Sequence, residues 1–422
     1  HDALPILPAL DPQRLERAWH ALIMRHDMLR AEIGTDGQQR VLRSVVLPPL
    51  RCDDLRGASA EEFERATLAS RDEMAFRRYD SERWPLYEIR LTLHDDSSVL
   101  HYSTDLLIAD FASIQLLLAE LGQLYHRPET APAPLTLTFR DVVMSERRRR
   151  QHPDTEARQQ KDRDYWMARL PDLPGAPELP LLPHAARPLQ NTPSFERHGF
   201  DLPAGSWQRF SEIATAQQLT PTAAVLAVFT EVLRLWSRQP DFCINLTLFN
   251  RPPVHEQIQH IVGDFIAVNV LEVRLDGGTT FPQRARALQT RLWQDMEHSG
   301  FTGIEVLRQL SRLHGSNQLI PVVFTSTVGI AGQALPRNDF MHDAQLLYGI
   351  TQTPQVWLDC QVTERNGTLH VDWDVRNGIF PPGLIEQAFA AFTQAITSLS
   401  QGPDAWTLGH LVTLPESTRL QR

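Results

Sequence analysis

Lysine is almost missing from this chain: of 41 basic residues in 422, Lys161 alone is a lysine and the rest are arginine. That skew fits a GC-rich coding sequence and marks no site. Cysteine is scarce as well. Cys52, Cys243 and Cys360 stand far apart with no C-x-x-C spacing, which argues against a zinc site or a disulfide framework and fits a reducing cytoplasm. No apolar run approaches the roughly 18 residues of a membrane span, and the start shows no charged-then-apolar signal pattern, so no membrane partner is expected. Positive charge is also in deficit. With 41 basic against 51 acidic residues the net charge is −10, which disfavours a nucleic-acid partner, whose affinity comes from clustered Lys and Arg displacing counterions. What remains is an ordinary globular composition, 42 % hydrophobic and 22 % charged. At roughly 150 residues per domain it suggests two lobes, each able to bury a core.

A first helix is readable from the cap Asp11 and Pro12, with Leu15, Trp19, Leu22 and Ile23 at helical spacing, ending near His26. Leu86–Leu93 and Val99–Thr104, separated by Asp95-Asp96-Ser97-Ser98, read as a hairpin, and a leucine-rich helix follows from about Ser113. The stretch from about Arg140 to Leu170 reads as one long helix whose run Arg147–Arg150 forms a solvated face. Seven prolines between Leu170 and Ser194 mark a connector. Thr220-Pro221 then opens an apolar helix reaching Trp236, followed by a strand Phe242–Phe249. The expected organisation is an N-terminal lobe at 1–170, a proline-rich linker at 171–194 and a C-terminal lobe at 195–422. His1 suggests a piece of a longer chain.

Period-two alternation across Gln355–Gln361 separates an apolar set, Val356, Leu358 and Cys360, from Gln355, Trp357, Asp359 and Gln361. Cys360 is thus expected to fill core. The opposite set would be plain surface on an outer face, or a binding surface with one ionisable group if it lined a cleft. Asn366-Gly367 is a two-residue hairpin signal that puts Arg365 opposite Thr368, and therefore Asp359 opposite Asp374. Two facing carboxylates cannot both ionise without cost, so one should hold its proton toward neutral pH unless an arginine lies between them. On Val322–Val328, alternation groups Val323, Thr325 and Thr327, and threonine in a strand needs no function.

Asp105-Leu106-Leu107-Ile108-Ala109-Asp110-Phe111-Ala112-Ser113 resembles the D-x-x-x-x-D-x-x-S signature of heterocyclization domains of nonribosomal peptide synthetases. Leu248–Pro253, Val262–Phe265, Pro321–Ser326, Gln352–Asp359 and Trp373-Asp374 ahead of Phe380-Pro381 resemble that family's other motifs, in its order. The resemblance runs from near His1 to near Pro415 and lacks the family's opening segment. It implies an α/β fold of two chloramphenicol-acetyltransferase-like lobes in a V-shaped pseudodimer with a tunnel between them. Upstream and downstream peptidyl carrier proteins would bring thioesters on phosphopantetheine arms, an adenylation domain would be adjacent, and the domain itself would bind no cofactor or metal.

In ordinary condensation domains an H-H-x-x-x-D-G motif occupies this place; here the usually functional histidine is Leu106. The resemblance thus turns attention to Asp359 as the proton shuttle, with Thr325 orienting it. It gives Asp110 a structural role tied to Arg30 of Arg25–Arg30, and has Asp105 and Ser113 shape the loop. Gln352, Gln355 and Trp357 would line an acceptor pocket with Asp374 and Asn250. For Asn245, Thr247 and Asn250, structural hydrogen bonding is an equal reading, and Gly263-Asp264-Phe265 can be read as a turn. The implied reaction is amide formation followed by cyclodehydration. The alternatives are an ordinary condensation domain or a silent carrier-docking platform.

Overall fold

A computed structural model describes residues 2–75, 77–183, 185, 193–274, 280–315, 318–329, 345–409 and 411. Of the expected connector, 184 and 186–192, Pro188 included, lie outside the described residues, as do His1 and Pro415. The chain divides into two compact units: His1–Arg149 with Asn250–Ile266 and Gly332–Thr351, and Arg150–Phe249 with Ala267–Ala331 and Gln352–Arg422.

The first unit holds β1 (Asp2–Pro8), the short pair β2 (Ala31–Ile33) and β3 (Gln39–Val41), β4 (Arg51–Asp54), β5 (Tyr87–Leu93) and β6 (Ser97–Thr104). Its main sheet runs in the order β11-β1-β6-β5-β4, where β11 is Gln345–Ile350. The β5–β6 hairpin has the expected place and antiparallel pairing. The helix Pro12–Arg25 starts where Asp11 accepts from the Gln13 and Arg14 amides at 2.8 and 3.0 Å, satisfying donors that the first turn leaves free. Its Leu15, Trp19 and Leu22 join Leu117 and Leu121 of the helix Phe111–His126 in the core.

The second unit contains β7 (Phe195–Leu202), β8 (Phe242–Phe249), β9 (Ile266–Val273), β10 (Val322–Ser326), β12 (Leu358–Arg365) and β13 (Thr368–Arg376), ordered β7-β13-β12-β10-β8-β9. β8, β10 and β12 are parallel neighbours, while β13 runs antiparallel to both β12 and β7. Asn366 and Gly367 both take positive φ, 51° and 76°, the conformation a two-residue hairpin turn demands. The register follows as expected: Asp359 faces Asp374 and Cys360 faces Trp373. One sheet face packs Phe324, Cys360, Val371 and Trp373 against the helices Pro221–Trp236 and Leu384–Gln401.

Three local expectations change. The first boundary between the units falls at Arg149, and β11 and the segment 250–266 return to the first unit, where Ile258, Ile261 and Phe265 are core. In the proline-rich stretch, Leu179 and Ala185 are buried in the second unit's core. The long helix is two, Phe139–Arg150 and Pro153–Arg169, separated where the His152 ring caps the second and Pro153 takes its first position.

Candidate active site

The face of the second sheet opposite that core carries a continuous polar row. Asp359 on β12 is half-buried. Its Oδ1 lies 3.1 Å from the Thr325 hydroxyl of β10, and its Oδ2 accepts from the Gln361 amide at 2.8 Å. Thr325 is also 2.9 Å from the Thr247 hydroxyl of β8. On the other side, Arg197 of β7 donates from Nε and Nη2 to the two oxygens of Asp374, each at 2.6 Å, and from Nη2 to Gln361 Oε1 at 3.2 Å. The second Gln361 amide hydrogen reaches Asp374 Oδ2 at 3.0 Å. Strand alternation and in-register pairing of β7, β13, β12, β10 and β8 bring these side chains together from five strands.

Burial, and next the facing Asp374 carboxylate, push the Asp359 carboxyl up to about 7, against the opposing effect of Gln361, Thr325 and Arg197. An arginine does stand beside the pair. It does not cancel the rise, because its fork is engaged with Asp374 and Gln361 and makes no hydrogen bond to Asp359.

A second cluster, in the first unit, is built around Asp110, which is fully buried. This side chain caps the helix Phe111–His126, accepting from Ser113 N at 2.7 Å, from Phe265 N at 3.3 Å and from Arg251 Nη2 at 3.2 Å. The Ser113 hydroxyl donates to Gly263 O at 2.9 Å and accepts from Gly263 N at 3.1 Å and Arg251 Nη2 at 2.9 Å. Gly263 fits because a Cβ there would lie 2.2 Å from the Phe139 ring. Asp264 is half-buried; burial pushes its carboxyl up to about 6, although Ile266 N donates to it. Asp105 stabilises its own turn by accepting from Leu107 N at 3.0 Å.

Several expected roles are corrected by these contacts. Arg30 does not hold Asp110. It donates to Asp27 at 2.7 Å and to the carbonyls of Ile23 and Met24, closing the C-terminal end of the preceding helix, where free carbonyls attract a cation. Arg251 takes the place assigned to it. Asp374 is 1 % exposed with both oxygens on Arg197, so it supports its neighbours and offers no free oxygen to a ligand. β12 begins at Leu358, because Thr353 and Val356 close a turn. Gln355 therefore does not share the strand face of Asp359 and is exposed, Gln352 is half-buried in the same irregular segment, and Trp357 packs against the core cluster. Asn250 is exposed just after β8, and its backbone N–H donates to Phe265 O.

The model of the condensation domain family matches residues 3–419. The chain belongs to that family. Its relatives include pyochelin synthetase PchF of Pseudomonas aeruginosa (strain UCBPP-PA14), 40 % identical over 400 residues that make up 94 % of this chain and 22 % of PchF. Phenyloxazoline synthase MbtB of Mycobacterium tuberculosis (strain H37Rv) is 34 % identical over 421 residues, 98 % of this chain and 29 % of MbtB. The chain thus spans less than a third of either relative. Among solved structures, the EpoB NRPS cyclization-docking bidomain from Sorangium cellulosum superposes with a TM-score of 0.84 at 34 % identity, covering 96 % of this chain and 81 % of that one. Within the condensation family the chain therefore groups with cyclization domains of nonribosomal peptide synthetases, and its fold is the chloramphenicol-acetyltransferase-like α/β fold they share.

Arg197, Thr247 and Arg251 are the polar partners that sequence reasoning left without these roles. For Arg251 a signal existed, since it sits inside a family-like motif; for Arg197 there was none, because no short turn joins β7 to β13. Among the described residues no group of His, Cys, Asp and Glu could hold a metal ion, and no single helix is long and apolar enough to cross a membrane.

Proposed function

We propose that this condensation-family domain joins an upstream acyl thioester to a Cys, Ser or Thr thioester and then closes the new amide to a thiazoline or oxazoline. Both substrates ride on phosphopantetheine arms of carrier proteins, with an adenylation domain charging the downstream carrier, in the cytoplasm. In the first step the α-amine attacks the acyl thioester, forming the amide and releasing the upstream thiol. In the second, the side-chain thiol or hydroxyl adds to the amide carbonyl, and the former carbonyl oxygen leaves as water. An amide is a poor electrophile and hydroxide a poor leaving group, so this step needs a group that takes and returns protons.

The observation that carries the reading is Asp359, a half-buried carboxyl held by Thr325 and Gln361 and brought to about 7 by burial and Asp374. Both of its protonation states are populated at neutral pH, which suits a group acting first as base and then as acid. Thr325 orients it, and tethering of both reactants supplies proximity. Asp105, Asp110 and Ser113 serve the fold of the first unit. The name of the EpoB cyclization bidomain and the similarity to PchF and MbtB support ring formation over plain amide formation.

The test is Asp359→Asn with an upstream carrier charged with a short acyl thioester and a downstream carrier charged in turn with Cys, Ser and Thr. Intact-protein mass spectrometry should find the uncyclised dipeptidyl thioester, one water heavier than the ring. Normal ring yield would refute the assignment.

A further inference from the structure

Thr247 precedes the Leu248–Pro253 motif and has no part in the pair proposed above, yet it touches that pair directly. The Thr325 oxygen lies 2.9 Å from Thr247 Oγ1 and 3.1 Å from Asp359 Oδ1. A hydroxyl has one hydrogen, so Thr325 cannot donate to both at once. Which way it points depends on where the Asp359 proton is.

The other carboxyl oxygen fixes that location. Asp359 Oδ2 receives an N–H of Gln361 at 2.8 Å, and the orientation of that amide is set by Arg197, which donates to its carbonyl end at 3.2 Å. A proton on Oδ2 would meet another donor; a proton on Oδ1 meets the Thr325 oxygen, which can accept it. Thr325 must then send its own hydrogen elsewhere, and the Thr247 oxygen is in place to receive it. When Asp359 is ionised, Thr325 turns and donates to Oδ1, and Thr247 is released from that duty.

We infer that Thr247 is a positioning residue that accepts the Thr325 hydrogen whenever Asp359 holds its proton, so that the hydroxyl pair follows the carboxyl between its two states. The inference rests on the reading of Asp359 as the proton carrier and deepens it. Removing the Thr247 hydroxyl leaves the neutral carboxyl's partner with an unplaced hydrogen, while the ionised state keeps its donors. The loss of one neutral hydrogen bond from the protonated state lowers the titration midpoint of Asp359 by about one unit. The charged groups facing Asp359 are Asp374 on β13 and Arg197 on β7, with Asp372 beside that arginine; β10 and β8 present Val323, Thr325, Asn245 and Thr247, all neutral. None of these charges changes in the variants below.

The experiment compares wild type, Thr247→Val and Thr247→Ser by carbon-detected NMR titration of the Asp359 carboxyl in the substrate-free chain. Beside it runs the pH profile of single-turnover ring closure, with an acetyl-charged upstream carrier and a cysteinyl-charged downstream carrier. The valine variant should move both midpoints down by about one unit, and the serine variant should restore them. A valine variant that titrates at the wild-type midpoint overturns the role of Thr247, as does a serine variant shifted as far as valine. Normal ring formation by Asp359→Asn would instead sink the functional reading, and the NMR arm would still decide what Thr247 does to the carboxyl.

Discussion

Asp110 and Asp359 each stand beside a hydroxyl residue and near an arginine, Ser113 and Arg251 for one, Thr325 and Arg197 for the other, and they end in different surroundings. Asp110 receives two backbone N–H groups and the guanidinium of Arg251, is fully buried, and is tied across 141 residues of sequence to that arginine and 155 to Phe265. Asp359 receives two neutral donors, while the nearest guanidinium is engaged with Asp374 and Gln361. One carboxyl is a hydrogen-bonded staple of its unit, and the other is pushed up to about 7 by burial and Asp374. The residue type does not separate them. Their surroundings do: Asp110 is tied to Arg251, while Asp359 faces Asp374 with Arg197 turned to that neighbour.

Substitutions should separate the two regions, and the largest effect is expected at the staple. Asp110→Ala strands the buried Arg251 charge and should cost about 3–5 kcal/mol, read as a markedly lower melting temperature; melting equal to wild type would make Asp110 dispensable to the fold. At the other carboxyl the sign reverses. Its midpoint is raised from 3.8 to about 7, so the folded state loses stability as pH rises through that window, by up to about 4 kcal/mol above it. Asp359→Asn should therefore melt higher than wild type at pH 8, with the gap narrowing as pH falls and closing only below about pH 4, even as ring formation is lost. A gap that is constant with pH would show that no such cost exists.

A smaller effect tests the packing behind the staple. Gly263→Ala puts a Cβ against the Phe139 ring and should cost about 1–3 kcal/mol by overpacking, leaving the titration of Asp359 unmoved. The finest discrimination is between arginines. A double-mutant cycle of Asp110 with Arg251 should give a coupling of about 1–3 kcal/mol, whereas Asp110 with Arg30 should be additive within about 0.5 kcal/mol. The reverse result would restore Arg30 to the role its motif suggested.

What could be read in advance was local or periodic. Asp11-Pro12 and Thr220-Pro221 opened their helices where expected, and Asn366-Gly367 pinned the β12–β13 register well enough to put Asp359 opposite Asp374. Arg197 was out of reach because β7 docks on β13 from 177 residues away with no turn to set the pairing. The same distance problem hid the return of β11 to the first sheet. Other misses were in plain sight. His152-Pro153 is a cap followed by a helix-starting proline, and Pro354 inside the Thr353–Val356 turn delays β12, moving Gln355 and Trp357 off the face assigned to them. The motif aspartate Asp110, most visible in the sequence, is packed into the first unit's core contacts, while the chemistry proposed above is placed on one whose surroundings come from five strands.

The most direct measurement of that contrast is the carboxyl titration of Asp359 by NMR in the unliganded chain. A midpoint near 7 is the expected result, since burial and Asp374 outweigh Thr325, Gln361 and Arg197. A midpoint near the ordinary aspartate value of about 4 would contradict it, and would leave the polar row of the second sheet without its proton carrier.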